Sequence, residues 1–129
     1  MGYTVSCEVH MRKGLKRVAV RFYRTDSGNE PVRKWLKSLA PKDRKDIGAD
    51  LQTLEFGWPV GMPLCRFLSS HKGLWEVRNN LTGSRIARVL FCVRKKELIL
   101  LHGFIKKTQK TPDQEISIAV KRMKGEDHD

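Results

Sequence analysis

The chain has 129 residues and a formal net charge of +12, from 26 Lys or Arg against 14 Asp or Glu. That length suits one domain with one core and excludes two independent ones, and wholly apolar runs such as Leu98 to Leu101 are far shorter than the roughly 20 residues that cross a bilayer. A pI near 10 points to a polyanionic partner. The charge is uneven: residues 72–110 hold ten Lys or Arg and two acids, whereas residues 25–57 balance six bases with six acids. Cys7, Cys65 and Cys92 have no paired spacing, so neither a disulfide framework nor a zinc motif is readable and a reducing, cytoplasmic setting is expected. No metal ligand set and no cofactor motif stands out.

Residues 1–17 lack the apolar stretch of a secretory signal and are set apart as an N-terminal extension, flexible or a start-site artefact, with Met11 as an alternative start. The domain is expected over 18–125, with a tail at 126–129. Val18 to Tyr23 reads as a strand, ended by the turn residues Thr25-Asp26-Ser27-Gly28. Val32, Trp35, Leu36 and Leu39 then recur at helical spacing, with Asn29 as N-cap and Pro31 in the first turn. Ala40-Pro41 interrupts this helix, and Ile47, Leu51 and Leu54 resume the stripe until Phe56-Gly57, which predicts a helical hairpin. Residues 57–63 carry two glycines and two prolines and read as loop.

Three strands follow. Gly73 to Arg78, Arg85 to Phe91 and Leu98 to Thr108 are joined by short turns at Thr82-Gly83 and Arg94-Lys95-Lys96, predicting an antiparallel meander. In the first strand Trp75 and Val77 share one face and Glu76 and Arg78 the other. Thr111-Pro112-Asp113-Gln114 forms a capping box before a last helix with Ile116, Ala119, Val120 and Met123 on its stripe. The element order is β-α-α-β-β-β-α, an α+β class.

Bland readings stand beside sharp ones. His102 in an apolar strand is more often a satisfied internal residue than a catalyst, and Trp35 on a helical stripe belongs to a core. Trp58 in the Pro/Gly loop could stack on a base, though packing is the better expectation. Cys92 in an apolar strand is a small buried hydrophobe. Glu76, Arg78 and Arg88 could form an exposed ion-pair group without function.

Taken together, Phe22-Tyr23 before the glycine turn, Pro31-Val32, Gly73-Leu74-Trp75-Glu76-Val77-Arg78, Arg88, and Leu101-His102-Gly103-Phe104-Ile105-Lys106-Lys107-Thr108 running into Thr111-Pro112 resemble the RelE/ParE toxin superfamily, closest to its phage-derived HigB-like branch. The resemblance spans about Val18 to Met123. It implies a RelE-like fold, with the N-terminal strand and the helical hairpin packed on a twisted antiparallel sheet and a C-terminal helix. It also implies a type II toxin that cuts mRNA in the ribosomal A site of the 70S ribosome without a metal, inhibits translation and arrests growth. A cognate antitoxin protein would neutralise it, and operator DNA would be met only through that antitoxin.

The chemistry implied is attack of an RNA 2′-hydroxyl on the adjacent phosphate, leaving a 2′,3′-cyclic phosphate. Such a step needs a base, cations for the phosphorane and an acid for the departing 5′-oxygen. Arg78 and Arg88 suit the phosphate clamp, Lys106 or Lys107 a base with a pKa lowered by crowding, and Lys72, Arg85, Lys110 and His102 further RNA contacts. The resemblance places a basic residue where Glu76 stands, so Glu76 is an alternative base. The catalytic tyrosine of some members has no counterpart, since the only tyrosines are Tyr3 and Tyr23. Two other roles share this fold class: a ParE-like DNA gyrase inhibitor without RNase activity, and a degenerate member that binds only its antitoxin as a corepressor.

Overall fold

The computed structural model describes residues 16–68, 71, 73–106 and 111–126, with the side chain of Lys106 outside that set. Nearly all of the extension, Lys72, Lys107, Lys110 and the segment beyond residue 126 therefore lie outside the described residues.

Five strands form one sheet: β1 (Ala19–Phe22), β2 (Cys65–Phe67), β3 (Trp75–Asn80), β4 (Ile86–Arg94) and β5 (Glu97–Lys106), in the order β1-β5-β4-β3-β2. Among the described residues three α-helices accompany it: α1 (Pro31–Ser38), α2 (Pro41–Gly57) and α3 (Asp113–Glu126). The α+β class, the helix pair and the β3-β4-β5 meander are as the pattern predicts. The sheet, however, is mixed, because β1 runs parallel to β5, Ala19 opposite Glu97. A fifth strand, β2, follows the Pro/Gly loop and pairs antiparallel with β3. Three residues are too few for alternation to declare a strand.

The helices occupy opposite faces of the sheet. On one, Val32 of α1 and Ile47, Leu51 and Leu54 of α2 pack with Val77, Val89, Phe91, Leu98 and Leu100. On the other, Ile116, Ala119 and Met123 of α3 cover Leu74, Leu90, Cys92, Ile99, Leu101 and Phe104. This two-sided cover explains the unbroken apolar run at the start of β5. Both described cysteines, Cys65 and Cys92, are buried, and burial pushes the Cys65 thiol up to about 12, so both serve as packing residues. Trp58 meets Trp75 and Phe91 edge to face, with ring centroids 5.0 and 5.7 Å apart, which makes it a packing residue and not an exposed base platform.

Local capping differs from the sequence expectation at two helices. Asn29 stays in the preceding turn, its amide donating to Thr25 Oγ1 at 3.0 Å, and Glu30 takes the N-cap position of α1 without a side-chain cap. Thr111 does not cap α3. Ile116 N–H returns to Pro112 O at 3.2 Å, and the Thr111 hydroxyl turns inward to Glu76.

The β4–β5 ladder shifts register between Leu90 and Phe91. The extra residue on β5 is a bulge, which re-aims the side chains that follow. Leu101 packs in the α3 cluster, His102 bonds Glu115 of α3, and Gly103 then faces α1. A Cβ at Gly103 would stand 2.4 Å from the Trp35 ring. Trp35 thus rests directly on the β5 backbone, and that contact holds α1 to the sheet.

Candidate functional site: an arginine cluster around a buried glutamate

On the α3 face, cross-strand register gathers charges that lie apart in the sequence. Arg66 of β2 stands opposite Glu76 of β3, and Arg78 of β3 stands opposite Arg88 of β4. Glu76 is 1% exposed. Its Oε1 accepts from Arg66 Nη2 at 3.0 Å and from Arg88 Nη1 at 3.2 Å, and its Oε2 accepts from Thr111 Oγ1. A buried carboxylate is tolerated only with such donors, and here they come from two strands and from the segment that leads into α3. Glu76 therefore fastens β2, β3, β4 and the start of α3 together.

Both Glu76 oxygens accept hydrogen bonds and the side chain does not reach solvent, so the carboxylate is not presented to a 2′-hydroxyl. The geometry gives it an anchoring role in place of the alternative base role, and it is no exposed ion pair. Arg88 is itself buried, 8% exposed. Burial lowers its pKa, Glu76 opposes that, and Arg78 and Arg66 add to the lowering. A guanidinium remains charged throughout. Three arginines around one glutamate leave a positive excess. The Nε atoms of Arg78 and Arg88 are buried without a hydrogen-bond partner among the described residues. Buried orphan donors are uncommon and costly, and two of them beside excess positive charge make the cluster a place where an anion is favoured.

The other sequence candidates divide. Lys106 closes β5 opposite Ile86, two positions beyond the Arg88–Phe104 pair; Lys107, Lys72 and Lys110 are outside the described residues. Arg85 points elsewhere. Its Nη1 and Nη2 donate to Asp43 of α2 at 2.9 and 2.8 Å, and its Nε donates to Thr82 O, so it clamps the β3–β4 turn to α2. His102 Nε2 lies 2.8 Å from Glu115 Oε1 and its ring stacks on Phe104; Arg122 beside it donates to Leu101 O at 2.8 Å. His102 is thus a satisfied residue beneath α3. Arg94 and the exposed Lys95 and Lys96 sit at the far hairpin. Among the described residues, the bases of this segment consequently do not present one continuous charged face.

Arg66 and Thr111 were missed from the sequence. Arg66 is the single base of residues 58–71, a faint signal, and Thr111 matches a capping box so well that its hydroxyl looks already spent. Among the described residues no three His, Cys, Asp or Glu side chains gather as a metal set, and no described helix is long and apolar enough to cross a membrane.

A five-stranded sheet with helices on both faces and an arginine cluster beside the segment that leads into the last helix defines a small α+β protein with a basic site. The chain belongs to the family of phage-derived Gp49-like proteins (DUF891), which it matches over residues 34–124, and that is a RelE/toxin-like family. The matched span starts inside α1, ends inside α3 and takes in every residue of the cluster. Comparison with curated proteins finds no match.

Proposed function

We propose that the protein is the toxin of a type II toxin–antitoxin pair, of the HigB-like branch of the RelE/ParE superfamily, and that it is an endoribonuclease cutting mRNA on the translating ribosome. The observation that carries this reading is the cluster: Arg66, Arg78 and Arg88 around Glu76, with two buried N–H donors left to give. A gyrase binder has no chemical need of such an arrangement, whereas phosphoryl chemistry does.

In this reading the scissile phosphate rests against Arg78 and Arg88, with Arg66 at the rim. The 2′-oxygen attacks phosphorus, the P–O5′ bond breaks, and a 2′,3′-cyclic phosphate remains on the upstream fragment. The guanidinium donors stabilise the extra charge of the phosphorane. Glu76 holds Arg66 and Arg88 in place, and Lys106 and Lys107 carry the proton from the 2′-hydroxyl and to the departing 5′-oxygen. A cognate antitoxin neutralises the protein in the cytoplasm, and operator DNA is met only through that antitoxin.

The test mixes purified protein with end-labelled mRNA, free or programmed into ribosomes, beside Arg78→Ala and Arg66→Ala variants. Ribosome-bound mRNA cut by the parent protein, with at least a tenfold loss in each variant, is the expected result. Absence of cleavage in both settings, together with loss of gyrase supercoiling on addition of the protein, would replace this reading with the gyrase one.

A further inference from the structure

Beside the cluster lies a cavity of about 620 Å³, lined by Asp46, Ala49 and Asp50 of α2, Pro63 and Leu64 of the loop before β2, and Arg78 and Asn80 of β3. That volume falls in the usual range for small-ligand sites, about 300–1,000 Å³. It opens where β2 begins. Pairing between β2 and β3 stops at Cys65 opposite Val77, and beyond the Arg78 N–H bond to Leu64 O at 2.7 Å no strand flanks β3 on this side among the described residues.

The walls are chemically mixed. Asp50 Oδ2 accepts from the fully buried Asn79 at 2.9 Å, and Asp46 Oδ1 accepts from Lys42 at 2.9 Å. Each carboxylate is thus oriented through one oxygen and keeps the other to accept. Arg78 and the exposed Asn80 border the cavity along the open edge of β3, and Ala49, Pro63 and Leu64 give an apolar wall. Two carboxylates repel a phosphate, while Arg78 and the nearby Lys42 repel a lysine or arginine side chain. A neutral, flat group with N–H donors on one edge and acceptors on another satisfies both walls, as a nucleobase does.

We propose that this cavity is a nucleobase subsite, selecting bases that carry an exocyclic amino group (cytosine, adenine or guanine) over uracil, with Asp46 and Asp50 as the acceptors. The inference rests on the RNA-cutting role proposed above, because Arg78 belongs both to the arginine cluster and to this cavity. A nucleotide whose phosphate lies at Arg78 has a base beside the cavity that Arg78 also lines. Acid side chains accept from the cytosine amino group in the same way in grooved nucleic acids, and a good pair of this kind discriminates between bases about tenfold or more.

Two measurements decide it. In the first, ¹⁵N-labelled protein is titrated with 2′-O-methyl tetranucleotides of cytidine, adenosine or uridine, which resist cleavage, and the amides of Ala49, Leu64 and Asn80 are followed by NMR. Shifts there with cytidine or adenosine and not with uridine support the subsite. Equal shifts with uridine, shifts only with inorganic phosphate or a lysine peptide, or none at all overturn it. In the second, cleavage sites are mapped for the parent protein and for Asp46→Asn, at a side chain that bonds the exposed Lys42. The ratio of cuts beside amino-bearing bases to cuts beside uracil should fall about tenfold. An unchanged ratio overturns the subsite while leaving the nuclease intact, whereas a parent protein that cuts no RNA defeats the nuclease reading and leaves the titration to judge the cavity.

Discussion

Glu76 is the residue on which the cluster turns, because a carboxylate without solvent must have its lone pairs filled from inside the protein. Its partners are not equivalent. The Arg88 side chain is 10% exposed and that of Arg66 is 47% exposed. Removing Arg88 leaves a buried charge short of a charged donor, at a cost of about 2 kcal/mol, so Arg88→Ala should lose both cleavage and several degrees of Tm. Arg66→Ala removes a half-exposed partner and should cost under about 1 kcal/mol, while still reducing cleavage at least tenfold. Thermal melts beside RNA cleavage assays separate the two. An Arg66→Ala protein that cuts at the parent rate would show that the cluster holds the sheet together and does not hold phosphate.

At the scale of elements, two fastenings set how the helices lie on the sheet. Gly103 lets Trp35 touch the β5 backbone, and Gly103→Ala drives a methyl into that ring, an overpacking cost of about 1–3 kcal/mol; a melt showing no loss would mean that α1 is free to shift. Asp43, in the first turn of α2, accepts two bonds from Arg85, and those bonds hold its carboxyl below the usual range. A depressed acid contributes stability above its unfolded pKa, about 3.9, and loses it as pH falls through the folded value. Asp43→Asn should therefore lower Tm at pH 7, with the gap to the parent closing below about pH 4; a constant gap down to pH 2 would remove the ion pair as its cause. The helices were legible because Val32, Trp35, Leu36 and then Ile47, Leu51, Leu54 keep a 3.6-residue period that only one structure satisfies. The parity of Trp75-Glu76-Val77-Arg78 was legible for the same reason. What could not be read depends on register: Arg66 meeting Glu76, β1 lying parallel to β5, and the bulge that turns His102 toward Glu115 and Gly103 toward Trp35 are choices between distant segments with no local signature. The burial of Glu76 was illegible too, since nothing in the Glu76–Arg78 alternation says that Thr111 will close on the carboxylate.

At the scale of the molecule, the net charge of +12 is not confined to the arginine cluster, since exposed bases also stand on α1 and at the β4–β5 hairpin, so affinity for RNA alone says little about where RNA sits. Salt dependence does say where. A single-stranded RNA that releases counterions on binding weakens with a log–log slope of about −0.7 for each phosphate neutralised. If the phosphate lies on the cluster, Arg66→Ala should make the slope for a 2′-O-methyl oligonucleotide shallower by about 0.7. Lys95→Ala is the matching control. Lys95 is exposed at the hairpin, seven residues along the chain from Arg88, which is roughly 20 Å in strand geometry, and its loss should leave the slope of a short oligonucleotide unchanged. Both variants remove one positive charge, so they lower the long-range attraction alike. A difference between their slopes therefore reports direct phosphate contact at the cluster, and equal slopes would show that the RNA is held by the diffuse field of the whole basic surface.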